Sequence, residues 1–375
     1  MKLLVKTLAG LEDVLAQEIT HLGGQNITVI KRGVTFEGDK RLLYRACLEL
    51  RTALRVLMPI ATFQATDDKI LYDNIKKIDW TQYINVSQTI AVDAVVYSTY
   101  FTHSQYVALK TKDAIVDLFR EKHYKRPNVN TLTPDLLVNI HITNDEVTVS
   151  LDASGDSLHK RGYRVDSLDA PINEVLAAGL IALSGWDGKM PFIDAMCGSG
   201  TILIEAAQKA HNIPPQYGRD YFCFKRWKDF DKALFDDIVK TQAAQRIDYQ
   251  GYIAGSDLNF QAIRVAERNI EAAQLTGKIP VVRKDFFKYV PDMGENTEGG
   301  ILLMNPPYDE RLKIEDAQNF YKQIGDTMKK NWKGWQVFII SSNLEAAKHI
   351  GLKTSRKIPL FNGSLECRLL KFEVY

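Results

Sequence analysis

The apolar positions change rhythm partway along the chain. Beyond residue 171, short unbroken apolar runs each stop at a polar or glycine-rich turn. Phe192-Ile193 ends at Asp194, Tyr252-Ile253-Ala254 leads to Asp257, Val281-Val282 leads to Asp285, and Gly300 to Met304 ends at Asn305. Such runs predict strands buried within an open α/β sheet. Asn173 and Glu174 open a helical pattern, Val175 to Leu183, and Ile202 to Ala207 predicts an apolar helix after the first turn. Trp335 to Ser341 predicts a further strand. Ser355 to Leu360 and Leu365 to Tyr375, around Phe361-Asn362-Gly363-Ser364, predict an antiparallel hairpin with an Asn-Gly turn.

The first 165 residues lack that strand-glycine-helix rhythm. Leu11, Val14, Leu15, Ile19 and Leu22 recur at helical spacing after a short strand, Leu3-Leu4-Val5. Val29-Ile30 and Val34-Thr35-Phe36 predict strands, Asp39 to Glu49 a helix, and Leu54 to Ala61 an apolar segment, which together make a small α+β layer. A second small unit follows, with a strand at Thr89 to Val96, a helix at Ser104 to Arg120 and a hairpin between Leu136 and Leu151.

The candidate chemistry lies in the second half. Two prolines in Asn305-Pro306-Pro307-Tyr308 end the strand, since proline cannot donate to a ladder. Asn305 then offers an amide oxygen, Pro306 a free carbonyl and Tyr308 a ring, a set suited to a planar amine-bearing group. The bland alternative is a plain turn. Upstream, Asp194-Ala195-Met196-Cys197-Gly198-Ser199-Gly200-Thr201 reads as a glycine loop that brings backbone close to a ligand. Leu203 stands where a dinucleotide fingerprint has its third glycine, and no Gly-Lys-Ser/Thr follows. Asp257 is placed to accept from ribose hydroxyls, and Asp285 from an exocyclic amine beside the Phe286 ring. Each acid alone is more often a cap or a solvated turn residue; their recurrence at successive strand ends favours a site.

These motifs resemble the class I S-adenosylmethionine-dependent methyltransferases with an Asn-Pro-Pro-Tyr motif, over residues 165–375. The resemblance implies a Rossmann-like α/β domain with seven strands, mostly parallel with an antiparallel last strand. It assigns the methionine part of the cofactor to Asp194, Cys197, Gly198, Ser199, Gly200 and Thr201, ribose to Asp257 with Leu258, adenine to Asp285 and Phe286, and the pocket floor to Pro171 and Asn173. Asn305, Pro306 and Tyr308 become the catalytic set. Ala195 departs from the family, which commonly has proline there. Ser98 to Ala114 resembles a THUMP domain, and the order of ferredoxin-like segment, THUMP and methyltransferase is similar to the RNA guanine-N2 methyltransferases. Ala9-Gly10-Leu11-Glu12 and Leu158 to Arg164 carry the same likeness. The expected domains are 1–65 (ferredoxin-like), 66–155 (THUMP), 156–170 (linker) and 171–375 (methyltransferase).

Charge adds little: 48 Lys+Arg stand against 46 Asp+Glu. Contacts to RNA therefore fall to local patches: Lys125-Arg126; Lys225-Arg226-Trp227-Lys228; and Lys160, Arg161 and Arg164 around Tyr163, the last reading either as phosphate and base contacts or as a solvated linker. The stretch His211 to Lys228 reads as an insertion beside the site or as a satellite core. Cys47, Cys197, Cys223 and Cys367 lack metal spacing, and no metal is expected. Cys197 reads as a small loop residue rather than a nucleophile. No membrane-length apolar run or signal peptide is visible, which points to the cytoplasm. The leading expectation is guanine-N2 methylation of large-subunit ribosomal RNA (23S), with transfer-RNA guanine N2, adenine N6 of DNA, protein glutamine, or a non-catalytic RNA-binding factor as alternatives.

Overall fold

In the computed structural model, which describes residues 1–168, 171–290, 299–307 and 314–375, contacts sort the chain into two units that do not follow chain order. Unit 1 takes Met1–Thr7, Leu15–Leu158 and Gln216–Thr241; unit 2 takes Leu8–Val14, His159–Pro215 and Gln242–Tyr375.

Unit 1 is built from β1 (Lys2–Lys6), α1 (Glu12–Leu22), β2 (Gln25–Ile30), β3 (Gly33–Glu37), α2 (Lys40–Glu49), β4 (Arg55–Gln64), α3 (Asp68–Lys77), β5 (Thr89–Tyr97), α4 (Ser104–His123), β6 (Asn128–Val129), β7 (Leu136–Thr143) and β8 (Glu146–Asp152). All eight strands form one sheet in the order β2-β3-β1-β4-β8-β7-β5-β6. The ferredoxin-like and THUMP segments, expected as separate layers, are therefore joined. The joint is β4, which pairs with β1 from Arg55 to Leu57 and with β8 along Leu57 to Gln64. Burial follows binary pattern: α2, capped by the Asp39 carboxylate accepting from the Leu42 N–H at 2.8 Å, buries Leu42, Leu43, Tyr44, Ala46, Cys47 and Leu48.

The aromatic insertion resolves in favour of a core. Within unit 1, Phe224 stacks on Tyr44 at 4.5 Å and lies 5.2 Å from Phe222 and 5.5 Å from Phe235. The basic residues there are largely engaged. Lys225 lies over the Phe235 ring, Arg226 pairs with Asp135 at 3.1 Å, Trp227 is buried, and Lys228 donates to the Thr81 carbonyl.

Unit 2 contains α5 (Glu174–Ser184), β9 (Phe192–Asp194) and α6 (Thr201–Ala210), then, after a passage through unit 1 that includes most of α7 (Lys232–Ala244), β10 (Ile253–Asp257), α8 (Phe260–Ala272), β11 (Val281–Arg283), β12 (Ile301–Met304), α9 (Ile314–Asn331), β13 (Gln336–Ser341), α10 (Leu344–Ala347), β14 (Thr354–Asn362) and β15 (Leu365–Glu373). The sheet order is β11-β10-β9-β12-β13-β15-β14, parallel through β13, with β15 antiparallel to both neighbours. Ile301 to Met304 and Val337 to Ser341 are buried throughout, as strands covered on both faces must be. The strand order reverses between β9 and β12, and in open α/β sheets ligands bind at such a switch point, beyond the carboxyl ends of the strands.

One detail differs from expectation. The hairpin pairs Asn362 with Leu365, so its central residues are Gly363-Ser364 rather than Asn-Gly; Gly363, at φ 65°, takes the first, left-handed position of a II′-type turn. Ala9-Gly10-Leu11-Glu12 is a packing element of unit 2. A Cβ on Gly10 (φ 88°) would lie 2.5 Å from the Pro359 carbonyl oxygen, and one on Gly179 would lie 2.5 Å from the buried Leu11 side chain. Among the described residues no helix is long and apolar enough to cross a membrane, and no group of His, Cys, Asp and Glu could hold a metal ion.

Candidate active site

The switch point gathers residues from three neighbouring strands. β9 pairs with β10 through Gly255↔Asp194 and with β12 through Leu302↔Ile193, so Asp194, Asp257 and Asn305 come at the same end of adjacent strands. The loop after β9 is shaped by two left-handed glycines, Gly198 (φ 52°) and Gly200 (φ 79°), the second serving as N-cap of α6. Gly200 has a second reason to be glycine: a Cβ there would sit 3.2 Å from the Ala266 methyl of α8. Gly255 is likewise confined, with Leu203 2.2 Å from where its Cβ would be.

Asp257 organises the loop. Its Oδ2 accepts from the Gly198 N–H at 2.9 Å and its Oδ1 from the Asn259 N–H at 2.8 Å. Beside it Leu258 is 61 % exposed, an apolar side chain open to a ligand face. Asp194 is fully buried and accepts from the Met196 N–H at 3.1 Å; burial, which penalises the ionised carboxyl, pushes its pKa up to about 8, with Asp257 adding to the shift. Burial also drives the Cys197 thiol well above its ordinary range, which favours the protonated form. Ser199 and Thr201 hydroxyls lie 3.2 Å apart, both buried.

The other expected residues fall in varied places. Asn173 is the N-cap of α5, accepting from the Val175 N–H at 2.9 Å and the Leu176 N–H at 3.4 Å, while Pro171 is exposed. Asp285 caps a short 3-10 turn, Phe286–Lys288, by accepting from the Phe287 N–H at 3.0 Å. Phe286 does not present a free ring face: it is 3 % exposed and stacks on Trp332 at 6.2 Å and 27°, because the capped turn directs it into the unit 2 core. Asn305 is half-buried, Pro306 buried and Pro307 exposed. Tyr308, and Ala170 ahead of α5, lie outside the described residues.

The basic linker is a correction. Arg161 Nε lies 2.7 Å from Glu205 with both side chains at 0 % exposure, and the Tyr163 hydroxyl donates to the same carboxylate at 2.9 Å. Arg164 Nε donates to Glu174 at 2.8 Å, and its Nη2 donates to the Ile172 carbonyl and, at 3.1 Å, to Thr201 Oγ1. These three side chains point into unit 2, where buried carboxylates demand counter-charges, and they fasten the linker to α5 and α6 rather than meeting phosphate. Lys160 alone of the set is exposed. Charge along the chain does not show this, because Glu205 stands 44 positions beyond Arg161 and Glu174 lies on α5, outside the linker. Nor does it show Asn269, whose signal is a polar amide on the buried face of α8.

The geometry suits S-adenosylmethionine. The buried Asp194 carboxyl, held neutral by desolvation, would ionise readily beside a positively charged ligand group, the two left-handed glycines carry no side-chain bulk, and the part-exposed Asp257 stands beside the exposed Leu258.

Comparison with known proteins agrees. Residues 161–371 match the RMKL-like methyltransferase domain, residues 2–57 the RlmL ferredoxin-like domain and residues 65–152 the THUMP domain. A Synechocystis sp. protein with a provisional RNA methyltransferase name is 41 % identical, over 98 % of this chain and 95 % of its own. A protein of Syntrophotalea carbinolica named ribosomal RNA large subunit methyltransferase K/L is 38 % identical over 97 % of this chain but 52 % of its own, so the chain spans about half the length of that relative. The crystal structure of SMU.472 complexed with SAH superposes with a TM-score of 0.90 at 29 % identity, covering 100 % of this chain and 98 % of that one.

Proposed function

Because the chain belongs to the RMKL-like methyltransferase family and uses S-adenosylmethionine, we propose that it methylates the exocyclic N2 amine of a guanine in large-subunit ribosomal RNA. The observation that carries the reading is the placement of Asn305 and Pro306 at the carboxyl end of β12, one strand from the glycine loop after β9.

The cofactor supplies an electrophilic methyl group when bound; Asp194, the Cys197–Thr201 loop, Asp257 and Leu258 are the residues to hold it, with Asp285 at the far edge. The amine lone pair of guanine is delocalised into the ring, so the protein must favour a pyramidal nitrogen. The Asn305 amide oxygen and the Pro306 carbonyl accept the two amine hydrogens and turn the lone pair out of the ring plane. The two prolines hold that backbone still, and Tyr308 is assigned to stack the base. Positioning of this kind is worth effective molarities on the order of 10⁵ M or more, and no strong base need act first. An amine inside a duplex is out of reach, so the target nucleotide is unpaired or flipped.

RNA is favoured over DNA by the match of residues 65–152 to THUMP and by the names of the relatives. Exposed Lys125, Arg126 and Lys160 are the candidate phosphate contacts. The test is transfer of labelled methyl from the cofactor to total RNA, transfer RNA and DNA, with nucleoside analysis. Label in N2-methylguanosine of the large ribosomal RNA is expected; label confined to N6-methyladenine of DNA, or to transfer RNA, overturns the assignment.

A further inference from the structure

We propose that Asn269 is a positioning residue that sets the cofactor loop for methyl transfer by tying it to the linker at Val165 and Asp166. The inference rests on the reading of the Cys197–Thr201 loop as the cofactor site. Asn269 is 1 % exposed on α8. Its Oδ1 accepts from the N–H groups of Val165 (3.1 Å) and Asp166 (3.2 Å), and its Nδ2 donates to the carbonyls of Asp166 (3.1 Å) and Ser199 (3.0 Å). Four bonds use both hydrogens of the amide and both lone pairs of its oxygen. None of those bonds goes to its own helix.

The loop needs such an anchor. Ser199 sits between two left-handed glycines, the least restrained backbone an L-polypeptide offers. Three residues earlier on α8, on the same face, Ala266 fills the space against Gly200. α8 therefore holds the loop at two successive residues, by contact at Gly200 and by a hydrogen bond at Ser199. The linker holds the far side, since Arg164, next to Val165, donates to Thr201 at 3.1 Å. The linker and the loop thus move as one piece, with Asn269 as the pin. All four bonds of the amide go to the loop and the linker.

The test uses the full chain and three variants, Asn269→Ala, Asn269→Asp and Asn269→Ser. S-adenosylmethionine affinity is measured by calorimetry, the kcat and KM for that cofactor by methyl transfer, and apo melting by circular dichroism. Asn269→Asp, measured above the pH at which a buried carboxyl ionises, keeps the acceptor for Val165 and Asp166 but has no hydrogen for the Ser199 carbonyl, so it should fail like Asn269→Ala. Both should raise Kd and KM for the cofactor about tenfold, the worth of one buried hydrogen bond, with kcat at saturation within about twofold. Arg268→Ala, which removes only the exposed pair of Arg268 with Asp166 at 2.7 Å, should leave cofactor affinity unchanged. A lower melting point and lower active fraction with unchanged Kd and KM makes Asn269 a packing residue and overturns the proposal, as does failure of all three variants to fold. Wild-type protein that binds no S-adenosylmethionine would instead overturn the reading of the loop itself.

Discussion

The two units use sheets in opposite ways. In unit 2 the five strands β11, β10, β9, β12 and β13 run parallel, so every strand delivers its terminal residue to the same edge, and Asp194, Asp257 and Asn305 gather there although 111 positions separate the first from the last. In unit 1 most neighbours are antiparallel, as β1 with β3 and β4, and β8 with β4 and β7, so strand ends alternate between two edges. A sheet of that kind offers faces and edges rather than a focused crevice. Chemistry therefore concentrates in unit 2, and unit 1 is suited to presenting surface.

Four experiments would break or sharpen that contrast. The largest effect is electrostatic and confined to unit 2. The folded-state pKa of Asp194, near 8, exceeds the ordinary value of 3.8, so the stability it contributes is present below the ordinary carboxylate pKa and is lost as pH climbs toward 8. Apo protein should be less stable toward denaturant at pH 8 than at pH 5, with a slope of at most about 1.4 kcal/mol per pH unit from this group, and Asp194→Asn should flatten it. An identical slope in the variant would remove the buried acid from the account. Next, Phe224→Ala empties the stacked aromatic cluster of unit 1 and should cost about 3–5 kcal/mol of that unit's stability, while cofactor affinity, read by calorimetry, stays near wild type.

Asn305→Ala should lower turnover about 10²-fold or more, on the scale seen when a transition-state hydrogen-bond partner is removed, with cofactor Kd nearly unchanged. A variant as active as wild type takes Asn305 out of the mechanism. The smallest effect is expected from Asp257→Ala. It removes a charged acceptor from the Gly198 N–H and should weaken cofactor binding by about 1.5–3 kcal/mol, leaving unit 1 untouched. Equal losses in unit 1 stability and in cofactor affinity would mean that the two units do not fold as separable bodies.

Much of the candidate site was legible before the structure. A strand that must stop at two prolines, a loop with glycines two apart and acids at strand ends are local consequences of backbone chemistry, and each appears where expected. The errors share one cause. Arg161, Tyr163 and Arg164 read from the sequence either as phosphate and base contacts or as a solvated linker, because a sequence shows charge without its partner, and Glu205 lies 44 positions beyond Arg161. Phe286 was read as a ring face because nothing local reveals Trp332 waiting to cover it.

By itself the amino-acid sequence determined the alternation of strand and helix in the second half, the loop chemistry after β9, the Asn-Pro-Pro turn and the resemblance that those motifs carry. Such features depend on neighbouring residues, whose propensities and steric limits act over a few positions. Only the tertiary structure decided that Leu8–Val14 packs in unit 2, that Gln216–Thr241 packs in unit 1, that β4 fuses two small layers into one sheet, and that Asn269 pins the linker to the glycine loop. Those arrangements rest on burial and hydrogen bonding between residues up to about a hundred or more positions apart, where the free energy of desolvating an amide or a guanidinium selects the partner and no local pattern records the choice.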